Sequence, residues 1–246
     1  MPIDIMPNGQ KPNEQSAYID AEGPTGSTVK TFPSGFDFST SAFGGWTTVK
    51  TQIYLHHTAG YQSADKGKQT ISILNDRGVS THTVIDAAGH IEYLFDDKYV
   101  SYHAGAGVTP QNLGLSVEIN AYGCLTKKAD GKFYNAYGGV VPADQAALAV
   151  DINGLPKPYK NHAYYQKYTP AQIAATKTLI LNWSAKHNIP VKWEGQKSYD
   201  RLFPPNGGTS PDAVSGVPGL YSHNSVRKDK SDVFPQKELI EMFKTL

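Results

Sequence analysis

Two adjacent histidines, His56 and His57, end an apolar run in the segment IYLHHTAG at residues 53–60. Imidazole is the commonest metal ligand in proteins and can also act as a general base near neutral pH. Consecutive residues of a strand point to opposite faces of a sheet, so the two histidines cannot easily serve the same purpose. The alternation favours His57 packing with Ile53 and Leu55 and His56 facing the polar side, although both faces of a central strand can be covered.

A carboxylate lies in the middle of a second apolar strand, LGLSVEIN at residues 113–120. Apolar residues of this strand alternate with Ser116, Glu118 and Asn120, which therefore share one face. A buried carboxylate is costly unless it is paired, bound to a metal or placed in a cleft. Glu118 is therefore a candidate functional residue.

A third polar group occurs in the segment HNSVRKDKSD, which contains His223, Lys230 and Asp232. Lys230 and Asp232 share one side of an extended chain, because they are two residues apart. A lone histidine in such a segment is most often an ordinary surface residue. The lysine and carboxylate that follow it, together with the strand-end histidines, make a functional site the stronger interpretation.

The elements that position these residues can be predicted from hydrophobic periodicity and turn signals. Ser63 is a possible cap for a helix that runs to about Asp76 and ends at Gly78, and Thr169 begins a second helix through a capping box with Gln172. The pattern predicts strands at 51–58, 79–86, 90–95 and 113–120, and helices at 170–187 and in 234–246. Alternating strands and helices indicate one mixed α/β domain, with a central mixed sheet flanked by helices.

Three stretches lack a clear periodic pattern. Residues 1–45 are rich in Gly, Pro, Ser and Thr and are predicted to form an N-terminal extension, with a short strand near 28–32. Residues 121–168 are predicted to form a long loop insertion with a weak helical piece around 143–151, and residues 194–222 are also loop-like. The domain is therefore expected to span residues 46–246.

Composition limits the possible functions. A net charge of +1 gives no broad attraction to nucleic acid. No apolar stretch approaches the roughly 18 residues that cross a bilayer, and the N-terminus lacks the features of a signal peptide. Synthesis in the cytoplasm is therefore expected, without membrane insertion. Cys124 is the only cysteine, so any metal must be held mainly by histidine and carboxylate.

Six segments resemble, in the same order, the type 2 N-acetylmuramoyl-L-alanine amidases. They are IYLHHTAG, STHTVIDAAGHI, SYHAGAG, NLGLSVEIN, YTPAQ and HNSVRKDKSD, and the resemblance covers roughly residues 50–240. That superfamily includes phage endolysins, cell-wall recycling amidases and animal peptidoglycan recognition proteins. No single motif is decisive, but the order of all six makes chance agreement implausible.

The resemblance implies a ligand set for one zinc ion. The first zinc histidine of the family directly follows the apolar run and matches His56, which leaves His57 with a structural role. The second matches His223. The third ligand, cysteine in some members and aspartate in others, follows a lysine by two residues and matches Asp232 after Lys230.

The resemblance also implies catalytic roles. Glu118 matches a strand glutamate that takes a proton from water and passes it to the leaving amine, and Lys230 is placed to stabilise the oxyanion. His103 matches a recurrent histidine at the cleft rim, where a substrate contact and a structural role both remain open. Some members use a tyrosine where this chain has Thr81, so proton transfer is expected to fall to Glu118.

The expected function is zinc-dependent hydrolysis of the amide between N-acetylmuramic acid and L-alanine in peptidoglycan. The alternative is a peptidoglycan-binding protein without activity, but such members typically lack the third ligand. A zinc peptidase is weaker because the chain has no HExxH motif. Asp200 or Asp229 could in principle replace Asp232, but neither has the K-x-D spacing. A monomer acting on the cell wall is expected, with holin-dependent release if the protein is a phage endolysin.

Overall fold

The computed structural model describes residues 43–65, 67–205 and 209–246, with side chains from Thr47 onward, and its centre is a five-stranded mixed sheet. Four of its strands run parallel, and one edge strand is antiparallel to its neighbour. In spatial order the strands are β12 (Gly219–Ser222), β2 (Gln52–His57), β6 (Gly114–Ile119), β3 (Thr83–Ile85) and β4 (Ile91–Tyr93). This arrangement confirms the predicted mixed α/β class.

Helices surround this sheet, and a small antiparallel pair flanks it. The helices are α1 (Lys68–Arg77), α2 (Val108–Leu113), α3 (Pro170–His187), α4 (Gln196–Leu202), α5 (Pro211–Ser215) and α6 (Lys237–Phe243). The pair consists of β1 (Phe43–Thr47) and β5 (Tyr99–Ser101). No helix in the described ranges is long and apolar enough to cross a membrane.

The β2 strand is buried along its whole length, on both faces. Parallel strands are usually covered on both sides, which explains the apolar composition of this segment. Its core face carries Ile53 and Leu55, which pack with apolar residues of α3 and α6 such as Leu179 and Phe243. The predicted alternation is correct, but the second face is also buried, so His56 lies in the interior and not on an open polar surface.

The segment 121–168, predicted as a loop insertion, forms a second five-stranded sheet instead. In spatial order its strands are β10 (Ala146–Leu148), β11 (Tyr164–Gln166), β7 (Cys124–Lys127), β8 (Phe133–Tyr134) and β9 (Val140–Val141). The predicted helical piece contains only a 3-10 turn, Ala143–Gln145, before β10. Strands of two to four residues are too short to show a period in the sequence, which explains the wrong prediction.

Two smaller predictions are also corrected. Helix α1 begins after Gly67 and not after Ser63, whose carbonyl oxygen instead accepts a hydrogen bond from the Ala87 amide. The stretch 194–222 contains α4, α5 and β12 and is not a simple loop.

Other local signals gave the correct structure. Helix α3 starts at the predicted capping box, in which the Thr169 hydroxyl accepts from the Gln172 amide and the Gln172 side chain accepts from the Thr169 amide. Gly78 ends α1 in the left-handed conformation, at φ 62°. The strand expected near 28–32 lies outside the described residues, and the domain boundary at residue 45 stays a prediction.

The capping box gives a test of how α3 is held. Replacing Thr169 with Ala removes the cap and also a hydrogen bond from the threonine hydroxyl to the Ala87 carbonyl. We expect a loss of about 1–2 kcal/mol in the free energy of unfolding, measured by urea denaturation. The control is Thr178→Ala, an exposed position inside the same helix. Equal stabilities of the two variants would contradict the prediction.

Candidate metal centre and active site

Three side chains that can bind a metal, His56, His223 and Asp232, converge at the carboxyl end of β2. One ligand atom from each lies within 4.8 Å of the others. Asp232 Oδ2 is 3.0 Å from His223 Nδ1 and 3.3 Å from His56 Nδ1. All three side chains are buried, and no other cluster of this kind occurs in the described ranges.

Parallel pairing of β12 with β2 brings the two histidines together. Ser222, the last residue of β12, is in register with Leu55, so the next residue on each strand is a histidine. A 3-10 turn, His223–Ser225, then reverses the chain. The chain segment that leads to Asp232 is held by Asn224, whose backbone amide donates to the Asp232 carbonyl oxygen at 3.2 Å. The third ligand is therefore held by the turn that follows the second.

In each imidazole, the hydrogen bond made by one ring nitrogen determines whether the other nitrogen is free to bind a metal. His223 Nε2 lies 3.0 Å from the Ala104 carbonyl oxygen, which can only accept, so Nε2 carries hydrogen. His56 Nε2 lies 3.0 Å from His103 Nδ1, while the buried His56 Nδ1 forms no hydrogen bond of acceptable geometry. Both Nδ1 atoms and Asp232 Oδ2 thus lie close together, in an arrangement that could hold a metal ion.

Burial controls the charge of this cluster. Burial, followed by the nearby His223 charge, lowers the pKa of His56 to about 4. His56 is therefore neutral at pH 7, which is the form that binds a metal. Burial alone would raise the pKa of Asp232, but the charge of His223 and its hydrogen bond outweigh that effect and hold the pKa of Asp232 well below its usual range.

His103 lies against His56 and is half-buried. Its Nδ1 contacts His56, its Nε2 is buried, and its ring packs 5.1 Å from that of Tyr54. Because the residue is partly exposed, the predicted substrate contact stays a prediction. The placement of His103 also suits a residue that orients His56 through a hydrogen bond, as outer-shell partners of metal ligands do.

Glu118 lies beside His56, because β2 and β6 pair in register at these two residues. Its Oε2 atom is buried and has no hydrogen-bond partner. Burial raises the pKa of this carboxyl well above its usual range, and the Asp232 charge adds to that effect. A buried carboxyl group with a raised pKa next to a ligand cluster has the properties of a general acid or base.

Lys230 lies in the chain segment between His223 and Asp232 and is half-buried. Its positive charge opposes the rise in the pKa of Glu118 that burial causes, which indicates proximity to the same centre. The two alternative aspartates are engaged elsewhere, since Asp229 pairs with Arg227 and Asp200 accepts from Gln196.

His57 lies on the opposite face, as predicted. Its Nδ1 is 2.9 Å from the hydroxyl oxygen of Tyr168, just before α3. A Cβ atom at Gly123 would approach His57 Nε2 to 2.6 Å, so only glycine allows this contact. His57 therefore connects β2 to the segment before α3. The Tyr168 and Ala104 contacts could not be predicted, because their partners are more than 100 residues away.

The family comparison agrees with this geometry. The family model described as N-acetylmuramoyl-L-alanine amidase matches residues 46–232, about three quarters of the chain. The chain therefore belongs to the N-acetylmuramoyl-L-alanine amidase family, whose members are peptidoglycan amidases. No curated protein matches the sequence significantly.

Several solved structures are similar to this chain. LysC, an N-acetylmuramoyl-L-alanine amidase from Clostridium intestinale, has 14% identity and a TM-score of 0.44, with 79% of this chain and 83% of that chain covered. AmiD from E. coli, solved with an anhydro-muropeptide substrate, has 19% identity and a TM-score of 0.37, with 63% and 51% covered. AMPDH3 from Pseudomonas aeruginosa, in complex with anhydromuramic pentapeptide, has 18% identity and a TM-score of 0.42, with 80% and 61% covered.

A buried histidine next to this centre predicts a pH dependence of stability. His82 Nε2 donates to the Tyr99 carbonyl oxygen, and its Nδ1 accepts from the Ser116 amide at 3.1 Å. In the neutral ring both nitrogens therefore form hydrogen bonds. Burial, followed by the Lys50 charge, lowers the pKa of His82 to about 3.

In the unfolded chain His82 binds a proton below about pH 6.5, whereas in the folded protein it does so only near pH 3. Its contribution to stability is therefore complete above pH ~6.5 and is lost as the pH falls towards 3. We expect His82→Gln to flatten the dependence of unfolding free energy on pH between 6 and 4, by up to about 1.4 kcal/mol per pH unit. Urea denaturation of chelator-treated protein measures this slope, and an unchanged slope would exclude His82 as its source.

Proposed function

We propose that the protein is a zinc-dependent N-acetylmuramoyl-L-alanine amidase that hydrolyses the amide joining the lactyl group of N-acetylmuramic acid to L-alanine. The observation that carries this proposal is the cluster of His56, His223 and Asp232 with Glu118 in register beside it. It occurs within the part of the chain that matches the amidase family.

The donor set fits zinc. Two neutral imidazoles and one carboxylate leave a fourth, open coordination position, as in other catalytic zinc sites. The buried His56 Nδ1 without a hydrogen bond and the Asp232 carboxylate between two imidazoles both call for a cation. When bound, zinc would supply a Lewis acid and lower the pKa of a water molecule to about 7.

Glu118 acts as general base and then as general acid. Its raised pKa allows it to take a proton from the attacking water and to return that proton to the amine that leaves as the C–N bond breaks. Thr81 cannot share this task, because its hydroxyl is fully buried and lies 3.2 Å from Ser116 Oγ.

Two further residues assist. Lys230, half-buried and close enough to act on the Glu118 carboxyl, supplies positive charge for the oxyanion that develops on the substrate carbonyl. His103 accepts a hydrogen from His56 Nε2 and thereby holds the Nδ1 atom towards the ligand cluster. We assign His103 this positioning role, and the substrate contact that the sequence suggested stays a prediction.

Digestion of purified sacculi, with and without a chelator, tests the function directly. Mass analysis should show intact stem peptides with a free L-alanine amine and glycan strands with free lactyl groups. Chelation should stop their release. Binding to sacculi without any released peptide would favour the recognition protein instead. Cleavage inside the peptide would favour a peptidase.

The proposed reaction implies where the protein acts. We infer that the protein works as a monomer on the cell wall, with residues 46–246 as its catalytic domain. A phage endolysin of this kind would need a holin to reach its substrate. Cell fractionation and gel filtration with light scattering test these two points separately.

The adjacent histidines should differ in a metal assay. We expect elemental analysis to find about one zinc per chain, and His56→Ala to abolish it because a primary ligand is lost. His57→Ala should retain zinc but lower the melting temperature, because it loses the Tyr168 contact and leaves a gap on the core face. The opposite behaviour of the two variants would overturn the ligand assignment.

Glu118 should be needed for catalysis and not for folding. Glu118→Gln keeps the side-chain volume and removes a buried, unpartnered carboxylate, so zinc content and melting temperature should not fall. Turnover of a soluble muropeptide should fall ~10²–10⁴-fold through lost proton transfer. Near-normal turnover would remove Glu118 from the mechanism, and a large drop in melting temperature would make it a structural residue.

A further inference from the structure

Three tyrosines, Tyr61, Tyr122 and Tyr137, form an aromatic cluster on the surface near the candidate active site. The Tyr122 ring lies between the other two, with ring centroids 6.0 Å from Tyr61 and 6.5 Å from Tyr137. Tyr137 is 71% exposed and Tyr61 is 59% exposed. Contiguous exposed aromatic surface on a protein commonly marks an interaction site.

The tyrosine cluster is held in place by the elements that carry the active site. Tyr61 comes from the segment after β2, Tyr122 from the segment after β6, and Tyr137 from the turn between β8 and β9. The Tyr137 hydroxyl donates to the Ala59 carbonyl oxygen at 3.0 Å, which ties the second sheet to the end of β2. Tyr122 also packs against the apolar core of the second sheet.

Chain geometry places this cluster close to the ligand residues. Ala59 is three residues beyond His56, and Tyr122 is four residues beyond Glu118. At about 3.3 Å per residue, the chain from His56 to Ala59 spans no more than about 10 Å, and the chain from Glu118 to Tyr122 no more than about 13 Å. Ala121, directly before Tyr122, packs in the apolar core with Val117 and Ile119, whereas Tyr122 contacts Tyr61 and Tyr137.

We propose that the tyrosine cluster binds pyranose rings of the glycan strand next to the amide that is cleaved. This inference rests on the proposed function, whose substrate carries a sugar on one side of the scissile amide and a peptide on the other. A pyranose has an apolar C–H face and a hydroxyl rim. Tyrosine matches both, with a flat apolar ring, a polar tip and little rotamer entropy to lose.

The surroundings of the three rings favour a neutral sugar over the stem peptide. Peptide carboxylates are normally recognised by arginine or lysine. Within the described part of the chain, no such cation lies over Tyr61, Tyr122 or Tyr137, whereas Lys128 lies 4.0 Å from the ring centroid of Tyr134 in the same sheet. The ring faces are therefore not covered by a lysine or arginine, and each ring carries a hydroxyl group, as stacking on a neutral sugar requires.

Peptide-free glycan strands are the probe that tests this proposal, because their binding needs no hydrolysis. Calorimetry should show weaker binding by Tyr137→Ala and by Tyr61→Ala, about 2- to 10-fold each, as expected for loss of one stacking contact. Tyr137→Phe should bind nearly as well as the unaltered protein, since the ring remains. The matched control is Tyr93→Ala, an exposed tyrosine of the edge strand β4, which lies two strands away from β6.

The outcomes separate this proposal from the amidase assignment. Reduced glycan binding by both alanine variants, with normal melting temperatures and an unaffected control, supports the cluster as the glycan site. Unchanged glycan binding, an equal loss in Tyr93→Ala, or a loss seen only with free stem peptide overturns it, even if sacculi are cleaved. Glycan binding that depends on the tyrosines in a protein that cleaves no amide would leave the site standing and refute the proposed function.

Discussion

The in-register parallel pairing of β2 with β6 is the constraint on which the candidate site depends. It sets His56 directly beside Glu118 in a part of the sheet that is covered on both faces. Pairing of β12 on the other side of β2 adds His223 one residue beyond the matched ends. A slip of either strand by one residue would turn these side chains to the opposite face, where apolar residues form the core. The register of three strands therefore determines the composition of the site.

Burial is the second determinant, because it acts in opposite directions on the two kinds of ionisable group. It keeps His56 neutral and so able to bind a metal, and it raises the pKa of Glu118 towards the range where a carboxyl group can transfer protons. Asp232 stays ionised in the same environment because it lies between two imidazoles. One buried cluster therefore combines a neutral His56, an ionised Asp232 and, beside them, the Glu118 carboxyl group with its raised pKa.

The second sheet places residues distant in sequence next to this centre. Its hairpin turn carries Tyr137 to the end of β2, and the segment just after it carries Tyr168 to His57 on the other face. Two tyrosine hydroxyls thus hold the end of β2 and the residues just after it. A sheet inserted in the chain between β6 and α3 can in this way fix the strand that carries His56 and extend the surface beyond it.

The sequence by itself determined the mixed α/β class, the alternation that separates His56 from His57, the α3 capping box and the candidate residues. Each of these depends on local periodicity or on a motif with fixed spacing, which the linear chain contains. Tertiary structure alone decided that 121–168 is a sheet, since strands of two to four residues show no period of their own. It also decided that His103 contacts His56, that Ala104 contacts His223 and that Tyr168 contacts His57. Such contacts depend on how strands pair across the sheet, and sequence separation does not encode them.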